Sequence, residues 1–141
     1  RGFYIAETEV HIMKIGTYFD DYEFACKCGR HGYDSDGHPI LDHVIDKRLV
    51  DALDAIRERI GKPIEVLSGY RCPEHNAEVG GVPNSQHVEG TAADITYDGI
   101  DVDYLAQIAE ECGADGIGCY YHQDFVHVDV RGYAARWNDL D

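Results

Sequence analysis

His122-Gln123-Asp124-Phe125-Val126-His127-Val128-Asp129-Val130 is a stretch that sorts its residues cleanly by parity. In an extended chain Phe125, His127 and Asp129 share one face, and Val126, Val128 and Val130 share the other. The valine face belongs to a core, so the His127 face must look at something polar. A second stretch, Ser85-Gln86-His87-Val88-Glu89-Gly90-Thr91-Ala92-Ala93-Asp94-Ile95, sets a carboxylate at the start of an apolar strand, seven residues after an imidazole. Gly90 can turn the chain between the two, and Ala92-Ala93 let backbone approach closely. A carboxylate in that position is costly unless it is paired or metal-bound. Two imidazoles and one carboxylate from separate strands make a three-ligand zinc set with one position left for water. The competing reading is a group of strand-end polar residues that hydrogen-bond to one another.

Working outward, the spacing predicts a helix over 44–60, with Val44, Leu49, Leu53, Ile56 and Ile60 apolar and Gly61 and Pro63 as its stop. A second helix is predicted over 102–112, with Leu105, Ile108 and Ala109 on one face and Gly113 beyond its end. Strands are expected at 10–18, 64–67, 92–96, 116–121 and 125–130, the last two joined by a tight turn at His122-Gln123. Residues 30–39 and 69–83 are rich in turn formers and read as loops. The fold class is therefore α+β, a small, mostly antiparallel sheet with helices packed on it. Residues 1–19 form a lead, and 20–141 form one domain.

The chain has 141 residues and a formal net charge of −15. Such acidity argues against nucleic acid, whose phosphates call for clustered Lys and Arg, and against capture by anionic surfaces. Ten Tyr, four Phe and one Trp argue against disorder. No run of 18 apolar residues is present, so membrane insertion is not expected. The first six residues contain no Met and no long apolar region, so no targeting signal is visible. They read as a trimmed or processed form, or as a terminal domain of something longer. Five cysteines, Cys26, Cys28, Cys72, Cys112 and Cys119, leave at least one thiol over if the rest pair. Cys26 and Cys28 are too close in sequence for an easy mutual disulfide. No pair of C-x-x-C motifs supports a four-cysteine zinc ribbon. A bond or a shared metal between Cys72 and the Cys26/Cys28 pair is open, because Cys72 adjoins Arg71. Among the histidines, His11, His31, His38 and His43 carry no functional claim.

Residues 85–94 resemble the S-x-H-x-x-G-x-A-x-D signature of the zinc D-Ala-D-Ala peptidases, a family of carboxypeptidases, dipeptidases and phage L-alanyl-D-glutamate endolysins. His122 to His127 is similar to the second signature, an acid three residues before the last zinc ligand. Ser68-Gly69-Tyr70-Arg71 resembles the segment with the substrate arginine, sixteen residues before His87. The resemblance runs over roughly residues 20–137. It is closest to the small bacterial and phage branch with Cys-x-Cys-Gly near its start, here Cys26-Lys27-Cys28-Gly29. It implies the small α+β fold shared with the hedgehog signalling domain.

Carried over residue by residue, the resemblance implies one zinc per chain on His87, Asp94 and His127. It makes Asp124 the general base, His122 the oxyanion stabiliser, and Arg71 and Ser85 the substrate contacts. The dipeptidases have Glu where this chain has Asp124, a shorter arm. Strand parity points elsewhere: Asp129, not Asp124, shares the His127 face. Asp129 is accordingly read as orienting a zinc-bound imidazole, with a plain surface carboxylate as the alternative. For Arg71 the alternative is a surface ion pair with Glu74 or Glu78. Thiol catalysis by Cys72 or Cys119 is set below a structural role. The implied function is a monomeric zinc metallopeptidase that cuts D-amino-acid-containing bonds of peptidoglycan, as carboxypeptidase or endopeptidase. Its place would be the cell envelope, the extracellular space or a phage-delivered particle. The alternative is a non-catalytic, zinc-containing wall-binding module of the same fold. Retention of Asp124 and Arg71 beside the ligands favours the enzyme.

Overall fold

Helix α1, Lys47–Ile60, starts where the Asp46 side chain accepts a hydrogen bond from the Arg48 backbone N–H at 2.8 Å, and it ends at Gly61. Helix α3, Val102–Glu111, starts in the same way, with the Asp101 carboxylate accepting from the Tyr104 N–H at 3.0 Å. Each helix turns one apolar stripe inward: Leu49, Leu53 and Ile56 from α1, and Leu105, Ile108 and Ala109 from α3. These elements belong to a computed structural model that describes residues 14–28 and 45–139.

The stripes pack on a sheet of five strands: β1 Glu65–Ser68, β2 Ala92–Thr96, β3 Gly116–Tyr120, β4 Phe125–Asp129 and β5 Ala135–Asp139. Their spatial order is β1-β2-β4-β3-β5. The first four pair antiparallel, and β5 joins the edge parallel to β3. Along β4 the parity of the sequence is realised. Val126 and Val128, with Ile95 of β2 and Ile117 of β3, lie in the core beneath the helices. His127 and Asp129 face the other way, and the register sets Asp94 directly opposite His127.

Several features depart from the sequence expectations. Within the loop expected at 69–83 lies a short helix, α2, Pro73–Glu78, whose six residues are too few to show a 3.6-residue period. Strand β5 was not expected at all. Its five residues, Ala135-Arg136-Trp137-Asn138-Asp139, include one large apolar side chain, too few to show a pattern, and its backbone pairing with β3 holds it in place. The predicted strand at 10–18 is not formed over its described part: Lys14 makes a single bridge to Asp20 and the chain then bends. Residues 10–13, Gly29, the expected loop at 30–39 and His11, His31, His38 and His43 lie outside the described residues. The lead also does more than precede the domain. Phe19 is 1% exposed and meets Phe24 edge-to-face at 5.9 Å within the core. Phe24 ends a 3₁₀ turn, Asp21–Phe24, whose next contact is the end of β1.

Leu105 is fully buried where α3 meets β3 and β4. Leu105→Ala is expected to lower unfolding stability by about 2–5 kcal/mol in urea titrations, the range for a large-to-small change in a packed core.

Candidate metal centre

The face of the sheet opposite the helices begins with one oxygen atom. Asp94 Oδ1 lies 3.2 Å from His87 Nε2 and 3.2 Å from His127 Nδ1. His127 reaches it across the β2–β4 ladder. His87 reaches it from the loop after α2, where its ring meets that of His127 edge-to-face at 5.1 Å. Gly90, with φ +76°, reverses the chain between His87 and β2.

The remaining ring nitrogens are tied down. His87 Nδ1 is 2.9 Å from the Gly69 carbonyl, which can only accept, so the proton sits on Nδ1 and the Nε2 lone pair faces Asp94. The His87 backbone carbonyl in turn accepts from the Arg71 N–H at 3.1 Å, so the loop is pinned twice to the end of β1. His127 Nε2 lies 2.7 Å from Asp129 Oδ2. Asp129 is fully buried and is gripped by Arg131 through its Nε and Nη2, at 2.9 and 2.7 Å. The sequence-based reading of Asp129 as the group that orients the His127 ring agrees with this contact.

Two glycines make room for the arrangement. Gly116 and Gly118 sit opposite Asp129 and His127 in β3. A Cβ on Gly116 would lie 2.2 Å from Asp129 Oδ2, and one on Gly118 would lie 2.4 Å from the Trp137 indole. Without those Cβ atoms, the Asp129 carboxylate sinks into the sheet and Trp137 of β5 leans across Gly118 to within 5.0 Å of the His127 ring.

This geometry suits a metal ion. The three donor atoms lie within 4.8 Å of one another. The 3.2 Å separations match the roughly 3.3 Å edge of a tetrahedron with ligands at zinc distances. An imidazole lone pair facing a carboxylate oxygen is two acceptors in contact, which a cation between them satisfies. Without a metal, protons do this work. Burial pushes the Asp94 carboxyl up, but the hydrogen bonds from His127 and His87 outweigh it and hold the group at about 2. Burial likewise works against a charged His127, yet the carboxylates of Asp129 and Asp94 hold its pKa above the usual imidazole range.

The donors sit in an open cleft of about 780 Å³. Arg71 and Ser85 line it, together with Tyr120, Phe125 and Trp137. Arg71 does not pair with Glu74 or Glu78. Its Nε donates to Asn76 Oδ1 at 3.0 Å and its Nη2 to Ser85 Oγ at 3.4 Å. Asn76, buried on α2, anchors itself by donating to the Val82 carbonyl at 2.7 Å. The structure does not bring His122 and Asp124 to the cleft lining. Both are exposed in the turn between β3 and β4. Asp124 takes a left-handed conformation, φ 59°, and its backbone carbonyl accepts from Thr96 Oγ1 at 2.7 Å. Asp124 does adjoin Phe125, whose ring stacks on Tyr120 at the cleft edge. Sequence reasoning missed Arg131, Asn76 and Trp137. Glycines two apart in β3 were the one available signal, because they mark a strand face where something large comes close.

The Peptidase M15 family model matches residues 17–129. The peptidoglycan L,D-endopeptidase MepK of Escherichia coli K12 is 34% identical over 100 residues, which are 66% of this chain and 54% of that protein. The zinc D-Ala-D-Ala carboxypeptidase of Streptomyces albus G is 40% identical over 80 residues, 54% of this chain and 31% of that protein. The chain thus spans about half the length of the first of these relatives and less of the second.

Removing the carboxylate behind His127 frees its ring. Asp129→Ala is expected to weaken metal binding by about 10–100-fold in competition with a chromophoric chelator. The metal-free protein is expected to lose stability on both sides of a mildly acidic optimum. Asp94, depressed from 3.8 to about 2, contributes stability that is complete above 3.8 and disappears as pH falls through about 2. His127, raised from 6.5, contributes stability that is complete below 6.5 and is lost as pH rises through its folded value. Thermal melts of the chelator-treated protein across pH 2–9 check both flanks, and Asp94→Asn should flatten the acid one.

Proposed function

The chain belongs to the Peptidase M15 family, and from that premise we propose that it is a zinc-dependent peptidase domain that hydrolyses D-amino-acid-containing peptide bonds of peptidoglycan. The observation that carries this reading is the convergence of His87, Asp94 and His127 in a cleft that also holds the guanidinium of Arg71. In it, His87, Asp94 and His127 hold the metal. The chemistry zinc supplies at such a site is Lewis acidity, which activates water near neutral pH and polarises a carbonyl.

The other roles fall to side chains around that centre. Arg71 offers a planar fork of donors suited to a peptide carbonyl or carboxylate. Asn76 and Ser85 hold that fork in place. Asp124 accepts the proton of the attacking water and returns it to the leaving amine. It stands outside the cleft lining, one residue before Phe125, so this role requires the substrate to be bound across that edge. His122 lies in the same exposed turn, so it too donates a hydrogen bond to the carbonyl oxygen, as that oxygen gains charge, only when the substrate is bound across this edge. The aromatic side of the cleft, Tyr120, Phe125 and Trp137, packs against the peptide stem. The MepK relative matches more of this chain than the carboxypeptidase does. An endopeptidase acting on cross-linked muropeptides in the cell envelope is therefore the preferred form. Within the described residues no helix is long and apolar enough to cross a membrane.

Digests of purified peptidoglycan resolved by mass spectrometry test the proposal. The zinc-loaded chain is expected to cut cross-linked muropeptides, and His87→Ala or Asp94→Ala should hold under about a tenth of an equivalent of metal and cut nothing. Asp124→Gly suits the left-handed turn, so folding and zinc should survive while turnover falls by about 10²–10⁴-fold. Undiminished turnover would confine Asp124 to a turn role. Arg71→Lys should lower kcat and raise KM on cross-linked muropeptides. An effect on KM alone, seen with a D-Ala-terminated pentapeptide, would instead mark a carboxypeptidase.

A further inference from the structure

A second group of metal-type donors lies away from the cleft. The Sγ atoms of Cys26, Cys28 and Cys72 lie within 4.8 Å of one another, and none of the three is in a disulfide. They come from distant parts of the chain. Cys26 and Cys28 follow the 3₁₀ turn near the start of the described residues, and Cys72 stands just before α2. Cys72 is 2% exposed. Backbone N–H groups point at two of the sulfurs: Cys72 N–H donates to Cys26 Sγ at 3.3 Å, and His75 N–H donates to Cys72 Sγ at 3.4 Å. The thiolate is the form that ligates metal, and these N–H donors oppose the burial that pushes the Cys26 thiol up.

We propose that Cys26, Cys28 and Cys72 hold a structural zinc ion, distinct from the one in the cleft, that clamps the amino-terminal segment onto the turn carrying Arg71. Three sulfurs from two segments fit such a clamp better than a disulfide, which would use two of them and strand the third in a half-buried site. Zinc–sulfur distances of ~2.3 Å set ligands roughly 3.8 Å apart, within the spread found here. Soft thiolates select zinc over the hard divalent cations. Each thiol gives its proton to solvent on binding. The fourth ligand is His75. It follows Cys72 by three residues on the first turn of α2, and its Nδ1 makes no hydrogen bond, the nearest carboxylate oxygen being Glu78 Oε1 at 3.6 Å. Its ring is not among the converged atoms, so completing the set takes a side-chain rotation.

The position gives the clamp a purpose. The Tyr70 N–H donates to the Phe24 carbonyl at 3.0 Å, and a Cβ on Gly69 would lie 2.7 Å from Phe24 Cα. The segment is thus pressed against the residues that precede Arg71 and that supply the carbonyl for His87 Nδ1. Tying Cys26 to Cys72 closes a long loop, which metal binding can stabilise in the same way as a cross-link.

The test is metal content in the full chain, purified with reductant and without chelator. About two equivalents of zinc are expected in the wild type. A His87→Ala/Asp94→Ala variant should keep one, and a Cys26→Ser/Cys72→Ser variant should lose one. Because the cysteine variant could fail to fold, the His87→Ala/Asp94→Ala protein is also reconstituted with cobalt. A thiolate-to-cobalt charge-transfer band in the near ultraviolet supports the clamp, and His75→Ala in that background should weaken cobalt binding at least about tenfold. Unchanged affinity there removes His75 as the fourth ligand. A folded His87→Ala/Asp94→Ala protein with neither zinc nor that band overturns the proposal. So does a wild type lighter by two hydrogens with Cys26 and Cys72 recovered in one cross-linked peptide. Failure of the cleft site alone would appear differently, as one equivalent that persists in the His87→Ala/Asp94→Ala variant and disappears with the cysteines.

Discussion

One carboxylate oxygen shared by two imidazoles is the interaction on which the rest of this site depends. Asp94 Oδ1 stands 3.2 Å from both His87 Nε2 and His127 Nδ1, among side chains no more than 15% exposed. A largely covered carboxylate and two buried rings are costly apart, and together they need a positive charge between them. Everything nearby serves that requirement. Gly69 sets the tautomer of His87, and Asp129 holds the far nitrogen of His127. Burial pushes the Asp129 carboxyl up, but the hydrogen bonds from His127 and then from Arg131 outweigh it and hold the group well below the usual range.

The sheet supports this constraint by dividing its labour between two faces. Val126, Val128, Ile95 and Ile117 bury one face under α1 and α3, and this fixes the register of β4. A slip of one residue would turn His127 into the core and a valine into the site. The opposite face then carries the ligands without contributing to the apolar core. Gly116 and Gly118 let Asp129 and Trp137 come close there, so the supporting carboxylate is reached through the sheet itself rather than through a loop.

The third donor, His87, comes from a loop, and a loop needs its own supports. The hydrogen bonds from Arg71 to the His87 carbonyl and from His87 to the Gly69 carbonyl bind that loop to the end of β1. Asn76 holds Arg71 from the other side. Arg71 and His87 are thus braced by the same few residues. The amino-terminal segment presses on those residues through Phe24.

The sequence alone was enough for the class of fold, for both long helices, for four of the strands and for singling out His87, Asp94 and His127, which the fold brings together. Each of these shows in spacing: a 3.6-residue stripe in α1 and α3, strict alternation in 125–130, and an imidazole seven residues from a carboxylate across a glycine. It also separated Asp129 from Asp124 by parity alone. What it did not contain was contact between distant segments. Strand β5 has no apolar pattern and exists because β3 offers an unpaired edge. Helix α2 is too short to show a period, and Arg131, Asn76 and Trp137 matter only through neighbours far away in the chain. The convergence of Cys72 on Cys26 and Cys28 is of the same kind: spacing could leave it open, and only packing of the amino-terminal segment against the end of β1 decides it. Local chemistry is written in neighbouring residues, whereas a site assembled across 46 residues is set by which surfaces the core forces together.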